Sequence, residues 1–487
     1  MAIDRAEVEE QVRAWFRDAW DPDIALLAWR ERLVASGWAV PSWSSRWHGR
    51  DLPAWSDRVA HRAIVDAGGV AVPPGGGFSL AAATIHDHAD DELRERYLGP
   101  TLTGELRWCQ LFSEPCAGSD LAGLRTTAVR DGDEWVLDGQ KVWTTSADHA
   151  DMGICVARSD WDVPKHAGLT YFLLDLRQPG VEVRPIHQMN GHASFNAVFL
   201  TEARVPADHV VGGVGEGWAV ARGTLSHERS FTSSGSAPLD AHLGGRVVDE
   251  ARAEAAEHQR TYVWYPQRQG RIDLAIGRAA QRGGARRGSP VGEPVPTPPA
   301  RGVPGGRGSR SCEPGSCEAV ARDRVAELVA VHRAAGWTAD RARVARRLGR
   351  PPGAEGSIGK LALSEVARRC NAVHSTLAGA HGMLSEGLDP VDAVVAEVLV
   401  STPAQSIAGG TDEIQRNILG ETVLGLAREP APDRGRPFGR VDASAGAERG
   451  PSPGRHPPPD HVAEAADPGT CDHDPTQERA TPCRSTD

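Results

Sequence analysis

Three short stretches of this chain carry groups whose types and spacing could do chemistry. The first is Trp108-Cys109-Gln110-Leu111-Phe112-Ser113-Glu114-Pro115-Cys116-Ala117-Gly118-Ser119-Asp120, where a strand-forming run gives way to small and polar residues. Backbone N–H groups and hydroxyls at a strand end can meet a flat polar ring or a phosphate, although the same composition also makes an ordinary turn. The second is Asp138-Gly139-Gln140-Lys141-Val142-Trp143-Thr144-Thr145. It reads either as a hairpin with a core tryptophan or as an indole laid against an aromatic cofactor, with a threonine at the cofactor's edge. The third is Gly409-Gly410-Thr411-Asp412-Glu413-Ile414-Gln415-Arg416-Asn417. A Gly-Gly-Thr ahead of a helix serves as an N-cap, and it also admits close approach of a ligand and anion binding at the helix start.

The elements that must position these stretches follow from periodicity. Asp4 with Glu7 fits a capping box, followed by a stripe of Val8, Val12, Trp15, Phe16 and Trp20. A second helix carries Leu26, Leu27, Leu33 and Val34 and stops near Gly37, and further helices are expected over 56–66 and 79–97. From Trp108 the period shortens. Segments 105–113, 125–130, 134–138, 141–145, 152–158, 168–176, 181–188 and 196–202 are rich in strand formers, with Asp131-Gly132 and Asp138-Gly139 read as hairpin turns. At Gly217-Trp218 the pattern returns to helix and stays so to about residue 428.

The fold class expected is therefore α+β and multidomain: an N-terminal helical domain over 1–107, a middle β-barrel or sandwich over 108–212, and a C-terminal helical bundle over 213–429. Residues 283–318 are Gly/Pro/Arg/Ser-rich and contain no Leu, Ile or Phe, so they read as a disordered insertion; 430–487 reads as a disordered tail.

The 487 residues give ample chain for buried cores, and 54 Lys+Arg against 65 Asp+Glu leave a net charge of −11. That balance argues against nucleic-acid binding. No apolar run reaches the 18 residues that a membrane span requires, and acids near Met1 argue against a secretory signal. The eight cysteines match no zinc spacing, so reduced thiols, a cytoplasmic location and no metal are expected. Arginine replaces lysine almost everywhere: only Lys141, Lys165 and Lys360 occur, which reads as codon bias.

Taken together, in this order and at these separations, the three stretches resemble the acyl-CoA dehydrogenase family. The resemblance implies a helical, a β and a four-helix domain with FAD and an acyl-CoA between them. Carried over by residue, it implies that Gln110, Leu111, Phe112, Ser113, Trp143, Thr144, Thr145, Thr411 and Glu413 hold FAD, and that Ser119 and Arg229 contact substrate. It further implies an electron-transfer flavoprotein as acceptor, a homodimer or homotetramer, and a place in fatty acid or lipid metabolism. Three departures stand out: Cys116 replaces a usual Gly, the Thr376–Gly382 stretch is blurred, and no clear Arg-x-x-Phe-Gly site is present.

Dehydrogenation between Cα and Cβ needs a base for the α-proton. Many members carry a Glu just before the Gly-Thr pair, where this chain has Gly409; others carry it on the first long helix of the C-terminal domain, where this chain has Glu228. Glu228 in Leu225-Ser226-His227-Glu228-Arg229 is thus the expected base, against the plainer reading of a surface ion pair. Three functions stay open: an acyl-CoA dehydrogenase, a flavin oxidase or monooxygenase of the same fold, and a non-catalytic subunit of a heteromeric acyl-CoA dehydrogenase.

Overall fold

A computed structural model describes residues 3–231, 242–285, 314–348, 353–379, 390–428, 430–431 and 435–441. Helices α1 (Arg5–Ala19), α2 (Leu26–Ala35) and α3 (Ser56–Asp66) open the chain. Asp4 caps α1 by accepting the Glu7 N–H at 2.9 Å, and the stripe Val8, Val12 and Phe16 is buried. The helix expected over 79–97 is two helices, α4 (Ala83–His88) and α5 (Asp91–Thr103). Asp90 breaks the run because its carboxylate accepts the Leu93 N–H, which makes it the N-cap of α5.

The strands are β1 (Trp108–Leu111), β2 (Thr127–Asp131), β3 (Glu134–Thr145), β4 (Met152–Arg158), β5 (Leu169–Asp175), β6 (Val181–Ile186) and β7 (Phe195–Pro206). They form one curled, mixed sheet in the order β1-β4-β2-β3-β7-β6, with β5 paired to β4. β1 lies parallel to β4, while β3 with β7 and β4 with β5 are antiparallel. Asp131-Gly132 is a hairpin turn as expected, with Asp131 opposite Glu134. Asp138-Gly139 is not one. The two strands expected over 134–138 and 141–145 are a single strand, β3, and Gly139 sits at a register shift within it.

Period-two alternation gives the sheet two packed faces. Ile154, Val156, Tyr171 and Leu173 join the core built on the N-terminal helices, which also takes in Val220 from α6 (Gly217–Phe231). Cys155, Phe172, Leu174, Val198 and Leu200 build a second core on the other face.

Helices α7 (Arg246–Tyr262), α8 (Tyr265–Arg268), α9 (Ile272–Ala285), α10 (Pro314–Arg347), α11 (Glu355–Ala378), α12 (Pro390–Ser401), α13 (Pro403–Ile407) and α14 (Asp412–Ile418) follow. Ala275, Leu328, Val366, Cys370 and Val373 form a third core between α9, α10 and α11. The expected insertion 283–318 is helical at both edges, where α9 and α10 extend into it, and its middle lies outside the described residues. The expected tail is corrected at its start: Pro437 bridges to Pro164, and Phe438 is buried against the β-sheet region. Residues beyond 441 lie outside the described ones. No helix among the described residues is long and apolar enough to cross a membrane.

Candidate functional site

The end of β1 and the middle of β3 are brought together by a buried ion pair. Lys141, with no exposed surface, donates from Nζ to Glu114 Oε1 at 2.8 Å, to Val156 O at 2.7 Å and to Phe112 O at 3.2 Å. Glu114 in turn accepts the backbone N–H groups of Arg125 at 2.7 Å and Thr126 at 2.9 Å. Burial alone would raise the Glu114 pKa, but the Lys141 ammonium and these donors outweigh it and hold the carboxyl below its usual range. Leu111 and Phe112 are buried, Gln110 and Ser113 part-buried, and Ser113 O accepts the Val142 N–H at 2.9 Å.

Beyond Lys141 the register between β3 and β7 shifts again, and Trp143 adopts a left-handed backbone (φ 60°). For a bulky residue that conformation is strained and is held by its surroundings. The result is an indole 59% exposed between two inward-facing residues, Lys141 and Thr144. Thr144 pairs with Asn196 across the sheet, and its buried hydroxyl has no hydrogen-bond partner. Thr145 lies opposite Phe195.

From Trp143 a row of rings leads into the helices. Centroids are 5.7 Å apart for Trp143–Phe195, 5.9 Å for Phe195–Trp264, 5.1 Å for Trp264–Tyr265 and 4.7 Å for Tyr265–Tyr262. Trp264 is 2% exposed, and its Nε1 donor also has no partner. Glu228, part-buried on α6, acts on the far end of this row. Burial pushes the Tyr262 and Tyr265 phenols up, and the Glu228 charge adds to both shifts. The sequence-predicted Trp143 thus begins an aromatic row whose last two rings feel the charge of Glu228. Arg229 follows Glu228 on the same helix. The helix is fixed by Thr224, whose Oγ1 meets Thr84 Oγ1 at 2.9 Å and the Tyr171 hydroxyl at 3.0 Å. It is also held by His227, whose Nε2 lies 2.9 Å from Asp87 Oδ2.

Ser119 and Asp120 are exposed on the loop between β1 and β2, and Asp120 is held by Lys165 Nζ at 2.8 and 2.9 Å. Thr411 caps α14, its Oγ1 accepting the Ile414 N–H at 3.2 Å. Gly409 and Gly410 both have left-handed φ (68° and 85°), which only glycine adopts freely. Asp412 anchors this turn to α11 through Lys360 at 2.8 Å, Ser364 at 2.7 Å and Arg368 at 2.9 Å. Those donors overcome the effect of burial and hold the Asp412 carboxyl far below its ordinary range. Glu413 is exposed, 3.5 Å from Arg416. Nearby, the buried Gln405 Oε1 is a further polar atom without a partner.

Sequence reasoning named Lys141 only as part of a pattern and missed Phe195, Trp264 and the two tyrosines. Lysine's rarity was a signal for the first; the aromatic residues stand at sequence separations that no spacing rule links. Among the described residues no group of three or more metal-binding side chains occurs, and Cys109, Cys116, Cys155 and Cys370 are free.

Comparison with known proteins agrees with this architecture. Residues 109–202 match the family model for the acyl-CoA dehydrogenase middle domain, and residues 317–424 match the model for its C-terminal domain. Acyl-CoA dehydrogenase FadE34 of Mycobacterium tuberculosis is 48% identical over 183 residues, which are 37% of this chain but only 26% of that protein. Acyl-CoA dehydrogenase IpdE1 of the same organism is 38% identical over 275 residues, covering 52% of this chain and 70% of its own length. Among solved structures, the Tcur3481-Tcur3483 steroid ACAD superposes with a TM-score of 0.55 at 22% identity, over 87% of this chain and 98% of that one. The ChsE4-ChsE5 complex from Mycobacterium tuberculosis gives 0.54 at 22%, over 88% and 100%. At such identity these likenesses speak for the fold alone.

Proposed function

The chain belongs to the acyl-CoA dehydrogenase family, and from that premise we propose that it is an FAD-dependent enzyme that desaturates an acyl-CoA thioester between Cα and Cβ, with Glu228 as the base. The family's cofactor is FAD. When bound, FAD supplies the two-electron oxidant, accepting hydride from Cβ. The residues present fit such a group: Thr144 Oγ1 and Trp264 Nε1 are buried polar atoms without partners, and Trp143 offers an exposed ring beside Thr144. Gln110, Leu111, Phe112, Ser113, Trp143, Thr144 and Thr145 would hold the flavin part, with Thr411 and Glu413 toward the nucleotide.

The single observation that carries the reading is the aromatic row joining Trp143 to the tyrosines on which Glu228 acts. Glu228 takes the α-proton as the Cα–Cβ single bond becomes double. Substrate, once bound, excludes water from the carboxylate, and such desolvation raises a carboxylate's proton affinity toward that needed for a general base. Gly409 carries no side chain, so the other position used in the family is empty. Ser119 meets the CoA side of the substrate, and Arg229 lies near the substrate. The part-buried rings of Tyr265 and Tyr262 suit a ring-bearing acyl group, in keeping with the steroid ACAD among the structural neighbours. Electrons then pass to an electron-transfer flavoprotein, and the chain works as a homodimer or homotetramer, the assembly that family membership suggests.

The test is the purified protein's flavin spectrum, followed anaerobically while a panel of acyl-CoAs, ring-bearing and linear, is added. Bleaching by one class is expected, and Glu228→Gln should retain FAD and acyl-CoA while reducing flavin at least ~10²-fold more slowly. A colourless protein that takes up no FAD would overturn the enzyme reading in favour of a non-catalytic subunit. Full-rate reduction in Glu228→Gln would remove Glu228 as base.

A further inference from the structure

Arg158 ends β4 with no exposed surface. Its guanidinium donates to Ala122 O at 2.6 Å, to Lys165 O at 3.1 Å and to Leu124 O at 3.2 Å. All three acceptors are neutral carbonyls, and burial lowers the Arg158 pKa to about 10 against the opposing pull of the Glu114, Asp120 and Asp160 carboxylates. Aromatic faces complete its surroundings. The Phe438 ring centroid lies 3.8 Å from Arg158 Cζ, and that of Trp161 lies 5.4 Å away.

Phe438 is held there by backbone as well as ring. Its N–H donates to Val163 O at 2.9 Å, Pro437 bridges to Pro164, and its ring lies 5.5 Å from that of Trp161. This segment comes after α14 and beyond residue 424, where the match to the C-terminal family model ends. It crosses back to the loop between β4 and β5 as a strap.

The carbonyls that Arg158 holds have a common destination. Ala122 and Leu124 close the loop that displays Ser119 and Asp120. Lys165, whose carbonyl Arg158 also holds, grips the Asp120 carboxylate with its ammonium. One buried cation therefore anchors the loop at its base and, through Lys165, near its tip.

We propose that Phe438 is a positioning residue for substrate: it caps Arg158 and so holds the Gly118–Leu124 loop in the conformation that receives the CoA part of the thioester. The proposal rests on the assignment of Ser119 to the CoA side given above. A ring over a desolvated guanidinium is attractive in a way that an aliphatic side chain is not. Without it, water reaches the guanidinium and competes with the three carbonyls, and the loop populates further conformations. Affinity then falls by the fraction of molecules left competent, while the proton-abstracting and hydride-accepting groups stay where they were.

The experiment uses the full-length, FAD-loaded protein with Phe438→Ala, Phe438→Leu and Phe438→Tyr, and Ser119→Ala alongside. Four quantities are read: KM and kcat with the best acyl-CoA, binding of coenzyme A itself by calorimetry, flavin content, and the rate of tryptic cleavage after Arg125. For Phe438→Ala and Phe438→Leu, KM and the coenzyme A dissociation constant should rise roughly tenfold. Cleavage should quicken, with kcat within twofold and flavin content unchanged. Phe438→Tyr, which keeps the ring, should match the parent protein. Phe438→Leu keeps the proposal open to disproof if the alanine variant does not accumulate.

Unchanged cleavage and unchanged coenzyme A binding in the leucine variant would overturn the proposal. So would a joint loss of kcat, flavin and affinity that Phe438→Tyr fails to restore, because that is collapse of the fold. Faster cleavage with unchanged coenzyme A binding also overturns it, and Ser119→Ala then locates the error. If Ser119→Ala is silent too, the assignment of that loop to CoA has failed; if Ser119→Ala weakens binding, the loop is correctly assigned and Phe438 does not control it.

Discussion

At the scale of single residues, the three lysines account for much of what is held in place. Lys141 meets Glu114, Lys165 meets Asp120 and Lys360 meets Asp412, so each pairs with a carboxylate inside one of the chemistry-bearing stretches. An ammonium directs three donors around a point, which is what Lys141 does with one carboxylate and two carbonyls, whereas the flat arginine fork cannot. Replacing Lys141 by Met should cost about 3–5 kcal/mol in denaturant unfolding, since it leaves a buried carboxylate unpaired. Adding Glu114→Leu should not restore the loss, because the Arg125 and Thr126 N–H groups then lose their acceptor. Recovery of full stability in the double variant would show that the pair is the whole of Glu114's role. The sequence carried this signal in plain sight. A chain that uses arginine almost everywhere kept lysine at three positions, and reading that as codon bias explained the arginines while overlooking the exceptions.

Elements were legible where local pattern decides them and illegible where a distant neighbour does. Helix α1, with its Asp4 cap and apolar stripe, and α3 over Ser56–Asp66 follow from spacing alone. β4 and β5 were found because they are continuous apolar runs buried on both faces. Asp138-Gly139 was misread as a turn because the dipeptide has the chemistry of one, while nothing local says that β7 runs alongside and continues the strand. Gly139 is instead a point of close approach. A Cβ there would stand 2.4 Å from Thr126 Oγ1 and 2.8 Å from Thr126 Cα. Gly139→Ala should therefore destabilise by about 1–3 kcal/mol through overpacking, read as a lower denaturation midpoint; an unchanged midpoint would mean that the strand shifts freely at that bulge. Likewise Asp412→Ala removes the group on which Lys360, Ser364 and Arg368 converge. It should loosen α14 and speed amide exchange at Ile414–Ile418, and protection equal to that of the parent would show that the turn stands without its anchor.

Over the molecule as a whole, buried and half-buried histidines set a pH response. His48, His61, His209, His258 and His374 are all held below the ordinary imidazole value chiefly by burial. The unfolded chain therefore binds protons that the folded one refuses. Stability is fully present above the unfolded value of about 6.5 and is lost progressively as pH falls below it toward the folded values. Melting temperature should drop between pH 7 and pH 5, and a flat profile over that range would contradict the burial of these rings. The three-part architecture was readable from the change of period at Trp108 and again at Gly217, whereas the return of the chain to cover Arg158 was not. A Pro-rich stretch reads as loose because its few apolar residues cannot build a core, yet Phe438 needs only a pocket already built by others. That closure carries a schedule. Phe438 lies 280 positions after Arg158 (438 − 158), and a ribosome adding roughly 5–20 residues per second delivers it some 15–60 s later. For that interval the guanidinium at the end of β4 lacks its Phe438 cap, so the loop it anchors reaches its final form only after the last helices have left the tunnel.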